Sequence, residues 1–256
     1  MKGFLRLGGV AGLLLVTLFA CGKKLPTPPP PPPGLNDTTR VVLAEIFSAR
    51  LCSNCPRADS ALQALAESNG PQKLVTLEYH PTTFSGQRDS LGTAETDARK
   101  TYYNVTTFPA CFFDGLHKTL GAPINVYEVY RDSFSVESAK RSPVSLGITA
   151  SPSGLATVTI KALSDLPTPL VLHTVVASDS VYYRTPFKDW WQFVVLDMIP
   201  DASGDTLRVA VGDSLTKVKG FTIQPNWVLG RLYVLAFLQN PANREILQSA
   251  QVKLIP

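Results

Sequence analysis

The sequence predicts an α/β domain over residues 37–141 followed by an all-β domain over residues 142–256. In the first half two cysteines, Cys52 and Cys55, lie between an apolar strand and a helical pattern, and a second apolar strand follows. The second half carries about seven short alternating segments separated by turn residues. The chain has 256 residues, 45% hydrophobic and 17% charged, so both halves are long enough to bury a core.

A β-α-β pattern surrounds the cysteine pair. Residues 41–47 are apolar except for Glu45, as expected for a central strand covered on both faces. A helix is predicted to begin near Pro56, which suits a first-turn position, and to end at Gly70. Residues 74–80 form the next strand, reached by a right-handed crossover. The other predicted elements are a helix at 93–103, a strand from Pro109, a hairpin strand at 117–120 and a helix at 124–140.

Short alternating strands fill the second half. They are bounded by sequences that favour turns, such as Ser-Pro-Ser-Gly and Asn-Pro-Ala-Asn. About seven such strands at near-regular spacing are typical of a β-sandwich of the immunoglobulin-like kind. The predicted strands are 144–150, 156–163, 170–177, 207–211, 217–223, 231–239 and 246–254.

Residues 1–20 have the pattern of a signal peptide. Two basic residues precede an apolar run at 10–20 that is too short to span a bilayer. The sequence Leu-Phe-Ala-Cys at 18–21 resembles the lipobox of bacterial lipoproteins, which implies that cleavage leaves Cys21 as a lipid-modified N-terminus. Gly22 in the next position implies the outer membrane. The alternatives are a conventional cleaved signal or a short anchor.

Residues 21–36 combine the predicted lipidation site with a proline-rich spacer. The unbroken proline run at 28–33 favours polyproline II, which rises about 3.1 Å per residue and gives a semi-rigid segment of roughly 30–40 Å. Such a spacer would hold the folded part away from the lipid surface. A proline-rich ligand for a binding groove is the alternative.

Composition and spacing disfavour nucleic acid, zinc and haem as partners. The formal net charge is +4 and is not gathered into a basic block. A structural zinc site needs four ligands, and beyond the pair the sequence offers only Cys111, His80, His117 and His173, without a second close pair. Haem attachment needs a histidine directly after the second cysteine, where Pro56 stands. The sequence therefore predicts no metal and no cofactor.

The cysteine pair is the strongest candidate for chemistry. Cys52 is predicted to lie exposed at a helix N-terminus, where free backbone N–H groups and the helix dipole stabilise a thiolate. It would attack a disulfide, and Cys55, one turn into the helix, would resolve the mixed disulfide. The alternative is a buried or structural pair without turnover.

The order strand, Cys-x-x-Cys-Pro helix, strand, helix, Phe-Pro strand, hairpin, helix resembles the thioredoxin fold. The sequences at 44–47, at 54–56 and from 108–109 through 114–115 further resemble bacterial outer-membrane lipoproteins of about twenty-eight kilodaltons, which join such a domain to a C-terminal β-domain. The resemblance spans most of residues 21–256, with its sharp motifs in the first half.

The resemblance implies roles for two more residues. Pro109 matches the cis-proline that faces the cysteine pair in thioredoxin-like proteins; an ordinary strand-start proline is the alternative. Glu45 matches a buried acid that exchanges a proton with the second cysteine, Cys55. A solvent-facing or salt-bridged glutamate is the alternative. Leu51 stands where thioredoxins have tryptophan, and Ser-Asn replaces their Gly-Pro between the cysteines.

Three other features are secondary candidates. His80 is predicted at the end of its strand, near Cys52 or as a loop histidine without a role. Cys111 is predicted to be a small apolar core residue or, alternatively, a third thiol in a redox relay. The aromatic segment at 182–193 marks a partner surface, a sandwich core or an interdomain seam, and is assigned no site.

These observations predict a membrane-anchored envelope lipoprotein, at the outer membrane, that performs thiol–disulfide exchange on exported proteins. The predicted catalytic residues are Cys52, Cys55, Pro109 and Glu45. The predicted partners are the membrane, through lipidated Cys21, and exported protein thiols. The rival hypothesis is a non-enzymatic surface or adhesion lipoprotein with a structural Cys52–Cys55 disulfide. The oligomeric state and the redox direction do not follow from the sequence.

Overall fold

The apolar runs of the sequence form buried strands in the computed structural model, which describes residues 38–255. Every residue of β1 (Val42–Phe47) and β2 (Leu74–Tyr79) is buried, because both faces of these strands are covered. Between β1 and β2 lies α1 (Cys55–Asn69). The other elements up to residue 141 are β3 (Thr83–Phe84), β4 (Gln87–Arg88), α2 (Ala94–Tyr102), β5 (Ala110–Phe113), β6 (His117–Leu120) and α3 (Val126–Ser138).

Beyond residue 141 the regular secondary structure of the described chain is strands and one short 3₁₀-helix (Leu229–Arg231). The strands are β7 (Val144–Ser151), β8 (Leu155–Ala162), β9 (Leu170–Ser178), β10 (Val181–Tyr182), β11 (Trp190–Trp191), β12 (Val194–Ile199), β13 (Asp205–Leu207), β14 (Ser214–Gly220), β15 (Leu232–Gln239) and β16 (Ile246–Lys253). In β8 every second side chain is buried, as expected for a strand with one face on a core.

Nine strands from both halves of the chain form one sheet. Its order is β16-β15-β9-β12-β2-β1-β5-β6, and β13 pairs with β9. Strands β1 and β2 run parallel, whereas β5 runs antiparallel to β1. The halves join where β12 pairs with β2 at Val194 and Glu78. The described residues belong to one compact unit, and the independent folding of 37–141 and 142–256 stays a prediction.

The alternation of side chains along each strand divides the core between the two faces of this sheet. On one face of β1, Val42, Ala44 and Ile46 pack against α1 and α3. On the opposite face Leu43 and Phe47 join an apolar cluster to which β2, β9, β12 and β15 also contribute. A separate sheet of order β14-β8-β7 packs on β9 and β15 through a third, mainly aliphatic cluster.

The last strand returns to the first. The backbone N–H of Val41 donates to Oε1 of Gln248 over 2.7 Å. The buried guanidinium of Arg40 donates to Oδ2 of Asp114 over 2.8 Å and to the backbone oxygen of Ile246 over 2.5 Å. Because a buried charge without a partner is strongly destabilising, these contacts tie β16 to the start of β1.

The elements predicted up to residue 141 are confirmed to within two residues at either end. In the second half the β-rich character is confirmed, but the strand at 207–211 is wrong: β13 ends at Leu207, and Asp213 N–H donates to the Ala210 oxygen over 3.0 Å in a turn. The predicted strand at 217–223 begins earlier, at Ser214, where β14 pairs with β8. Strands β3, β4, β10, β11 and β12 were not predicted.

The predicted signal peptide, Cys21 and the proline-rich spacer lie outside the described residues. Within residues 38–255, no helix has both the length and the apolar character that crossing a membrane requires.

Candidate functional site

A disulfide joins Cys52 and Cys55 at the start of α1, with 5.4 Å between the two Cα atoms. Cys52 lies two residues before the helix N-cap, Asn54, whose side chain makes no capping hydrogen bond. Pro56 occupies the first turn, and no acidic residue lies in that turn. The positive end of the helix is therefore not neutralised by an acidic side chain in the first turn, and it favours a thiolate there when the pair is reduced.

The predicted exposure of Cys52 is wrong. Its residue surface is only 6% exposed, and Cys55 is fully buried. Phe84 and Phe108 pack against the apolar cluster of Ala49, Cys52 and Cys55, with their ring centroids 5.3 Å apart. The Phe108–Pro109 peptide bond is cis. The structure thus brings the segment around Pro109 to the cysteine pair, as the resemblance implies.

Glu45 lies on the face of β1 opposite to α1 and is fully buried. Its two carboxylate oxygens accept hydrogen bonds from Nε and Nη2 of Arg99, over 2.8 and 3.0 Å. The Tyr103 hydroxyl donates to Oε2 over 2.5 Å, and Oε1 of Gln239 accepts from Arg99 over 2.8 Å. These contacts favour the salt-bridged alternative for Glu45 and leave the proton-exchange role without a supporting contact.

A different buried acid, Asp59, lies one helical turn after Cys55 on the same buried face of α1. Lys188 Nζ donates to its Oδ2 over 2.8 Å, and the Ser48 hydroxyl donates to the same oxygen over 3.3 Å. Its other oxygen, Oδ1, has no hydrogen-bond partner among the described residues. Burial, followed by repulsion from Glu78, raises the pKa of Asp59 from 3.8 to about 7.

Asp59 belongs to an ionic cluster that we define as Asp59, Glu78, His80, Asp89 and Lys188. His80 is fully buried, with Nδ1 3.0 Å from Oδ2 of Asp89 and Nε2 3.3 Å from Oε1 of Glu78. Burial lowers the pKa of His80, but its hydrogen bond to Asp89 and the neighbouring carboxylate of Glu78 outweigh burial and raise that pKa to about 9.

The remaining members of the ionic cluster are held in their charged forms. Burial opposes ionisation of Glu78, but Lys188 and His80 outweigh it and lower the Glu78 pKa. Burial also opposes ionisation of Asp89, whose pKa is lowered mainly by the hydrogen bond with His80. Burial disfavours the ammonium of Lys188, yet Glu78 and Asp59 raise its pKa.

The hairpin β10–β11 brings residues of the second half of the chain into contact with the ionic cluster. Lys188 Nζ lies 4.4 Å from the ring centroid of Trp191, whose ring lies 4.8 Å from that of His80. Arg50, in the loop before the cysteines, donates to the hydroxyl of Tyr183. The aromatic segment predicted at 182–193 is therefore in part a seam against the α1 side of the chain.

Two other residues singled out in the sequence, Cys111 and His80, are fully buried. Cys111 is a free, fully buried thiol whose pKa is raised by burial, which agrees with its prediction as an apolar core residue. His80 follows β2 directly, as predicted, but its ring is bound inside the ionic cluster. Within residues 38–255 no three His, Cys, Asp or Glu side chains are grouped as a metal site would need.

Sequence reasoning missed Asp59 and Lys188. For Asp59 a signal existed, because the residue falls on the same helical stripe as Cys55, Ala58 and Leu62. Lys188 gave no such signal, since its contact with Asp59 spans 129 positions of the chain.

Comparison with known proteins shows the fold. No family model and no curated protein matches the sequence. HBP35 of Porphyromonas gingivalis has a structure with a TM-score of 0.68 at 21% sequence identity, covering 86% of this chain and 76% of that chain. A domain of the outer membrane lipoprotein Omp28 from Porphyromonas gingivalis gives a TM-score of 0.32 at 12% identity, covering 45% of this chain and 90% of that domain. The described chain therefore shares its fold with HBP35.

Proposed function

We propose that this protein is a lipid-anchored envelope protein whose Cys52–Cys55 pair exchanges disulfides with exported proteins. The observation that carries this proposal is the position of the pair. It lies at the positive end of α1, beside the segment around Pro109 and one turn from the buried acid Asp59. The outer membrane is the proposed location, with Cys21 as the lipidated residue.

In the proposed reaction the thiolate of Cys52 attacks a substrate disulfide. A Cys52–substrate disulfide forms, and one substrate sulfur leaves as a thiolate. Cys55 then loses its proton and attacks Sγ of Cys52, which forms the Cys52–Cys55 disulfide and releases the second substrate sulfur. Two electrons pass from the protein to the substrate. The reverse sequence oxidises a substrate dithiol.

We assign to Asp59 the proton-exchange role that the sequence had suggested for Glu45. Cys55 and Asp59 are four residues apart in α1 and both buried, so their side chains lie on one helical face. A carboxyl group with a pKa of about 7 both accepts and releases a proton near neutral pH. Lys188 then acts as a positioning residue, since its ammonium holds Oδ2 of Asp59.

We further propose a thioredoxin-like arrangement for residues 37–141 and an immunoglobulin-like sandwich for residues 142–256. The first is supported by the strand order β2-β1-β5-β6, with β1 and β2 parallel and α1 and α3 packed on β1. The second is supported by the antiparallel sheet β14-β8-β7, which packs on β9 and β15 through an aliphatic cluster.

A second candidate function is a non-enzymatic surface or adhesion lipoprotein with a structural disulfide. The observation that favours it is the low exposure of Cys52, 6%, beneath Phe84 and Phe108. Under this hypothesis the two rings protect the disulfide from attack. Under the enzymatic hypothesis they form an apolar wall that a bound substrate chain displaces.

The reduction potential of the pair distinguishes the two candidates. We expect the full chain, purified in detergent, to show a potential above about −250 mV and to be opened rapidly by a model thiol. A potential below about −300 mV with slow opening would identify a structural disulfide instead.

Variants assign the reactivity to named groups. The Cys52→Ser variant is expected to lose disulfide exchange, whereas Cys111→Ser, which removes the buried free thiol, is expected to retain it.

The Asp59→Asn variant is expected to slow turnover by about 10²-fold or more, as for other losses of a general base. Equal rates in Asp59→Asn and the matched α1 variant Glu67→Gln would remove Asp59 from the mechanism.

Replacement of Cys21 tests the anchor. We expect Cys21→Ser to abolish incorporation of labelled palmitate and to prevent stable attachment, because each buried methylene contributes about 0.8 kcal/mol to membrane binding. Membrane fractionation of cells expressing the two proteins measures this. Cys111→Ser serves as the control and is expected to stay labelled. Unchanged labelling of the Cys21→Ser variant would refute the lipidation site.

A further inference from the structure

A cavity of about 250 Å³ lies beside the ionic cluster. Its apolar wall includes Leu62 and Ala66 of α1 and Phe193 beside β12. Its polar wall includes three members of the ionic cluster, Asp59, Glu78 and Lys188. The cavity can therefore accommodate a ligand with an apolar body and one polar group. A mainly apolar lining with a few polar groups is the usual composition of a small-molecule site.

With Asp59 ionised, the ionic cluster lacks one positive charge. It contains three carboxylates, Asp59, Glu78 and Asp89, against two cations, His80 and Lys188. Asp59 is 8% exposed, and its Oδ1 has no hydrogen-bond partner among the described residues. Gln251, which also lines the cavity, has a buried Oε1 that is likewise without a partner in this part of the chain. The site is therefore rich in acceptors and short of a cationic donor.

The size of the cavity limits the ligand. An apolar cavity of about 150 Å³ is large enough to hold benzene. The present cavity therefore has room for one ring and a short chain. A ligand of this size that ends in an ammonium group would place its ring against Leu62, Ala66 and Phe193, and its charge near Asp59.

We propose that this cavity binds a small amphipathic ligand that carries a primary ammonium group on an aromatic or branched apolar body. The ammonium binds the ionised form of Asp59, supplies the positive charge that the cluster then lacks, and donates to the unpaired Oδ1. This site needs no thiol chemistry, so it goes beyond the proposed function, and it is tested on the oxidised protein without turnover.

Titration calorimetry with three matched probes tests the proposal. The probes are 2-phenylethylammonium, 2-phenylethanol and phenylacetate, which share a ring and differ in charge. The full chain is expected to bind the ammonium compound at least about tenfold more tightly than the alcohol, and the anion least. Equal binding of the ammonium compound and the alcohol, tighter binding of phenylacetate, or no binding of any probe would overturn the proposal.

Two variants locate the binding. Asp59→Asn is expected to reduce affinity for the ammonium compound to that for the alcohol, and Ala66→Leu, which fills the apolar wall, is expected to weaken both ligands. The control is Asp132→Asn, which removes an exposed carboxylate outside the cavity lining. Its affinities are expected to equal those of the wild type. Unchanged binding in both cavity variants would place the ligand elsewhere and refute the site.

Discussion

The Arg99→Met variant is expected to unfold with a free energy about 3–5 kcal/mol below that of the wild type, because it leaves the buried carboxylate of Glu45 without its cation. Arg99 of α2 also donates to Gln239 of β15, so the substitution breaks a contact between the two halves of the chain. Urea unfolding, followed by far-ultraviolet circular dichroism, measures the change.

A surface ion pair provides the matched control. Arg131 and Asp132 are paired at 2.9 Å with both side chains more than half exposed, and Arg131→Met is expected to leave stability unchanged within error. Adding Glu45→Gln to Arg99→Met is expected to recover part of the loss, since it removes the unpaired charge. If Arg99→Met proves no more destabilising than Arg131→Met, the buried pair does not support the fold as we infer.

The stability of the wild type is expected to fall as the pH rises through the titration of Asp59. The pKa of Asp59 is 3.8 in the unfolded chain and about 7 in the folded protein. The folded state therefore holds the proton more tightly, and the protonated form contributes stability that is present in full below 3.8 and is lost by about pH 7. This change corresponds to about 4 kcal/mol, at about 1.4 kcal/mol per unit of pKa.

The Asp59→Asn variant isolates this contribution. Its free energy of unfolding, relative to that of the wild type, is expected to rise by on the order of 4 kcal/mol from about pH 4 to about pH 8. Asp114 also has a pKa raised to about 7 by burial, but it titrates in both proteins and cancels in the difference. For Asp132→Asn the difference is expected to stay flat. A flat difference for Asp59→Asn as well would show that Asp59 ionises normally in the folded state.

His80 extends the same trend to higher pH. Its pKa is 6.5 unfolded and about 9 folded, so the stability it contributes is complete below 6.5 and is lost as the pH rises through 9. Glu78 and Asp89, whose pKa values are lowered, contribute stability that is lost as the pH falls through their titration. The ionic cluster as a whole is therefore expected to favour the folded state most at mildly acidic pH.

Apolar runs predicted the fold best. β1 and β2 were predicted almost to the residue, because strands covered on both faces must be apolar throughout. β12 was missed because Asp197 interrupts its pattern and an aromatic segment precedes it. The single sheet shared by the two halves of the chain was not predictable. Strand β12 pairs with β2 only at Val194 and Glu78, and no local sequence pattern indicates this pairing.

The site was predictable only where sequence neighbours build it. The disulfide and α1 follow from adjacent residues, so their positions were confirmed. Glu45 was placed by analogy, but the alternation of β1 directs it to the face opposite α1, where Arg99 binds it. Asp59 depends on burial by a distant hairpin that carries Lys188, and such tertiary contacts override local propensity.

The return of β16 to β1 has a consequence for the order of events during synthesis. Gln248 and the backbone of Ile246, which complete the contacts of Val41 and Arg40, follow those residues by 207 and 206 positions in the chain. While the chain is made from its N-terminus, the central strand and this arginine are therefore present before these partners. The contacts at the start of β1 are completed only when β16 has been made, and the cysteines pair in a chain that is still incomplete if they oxidise early.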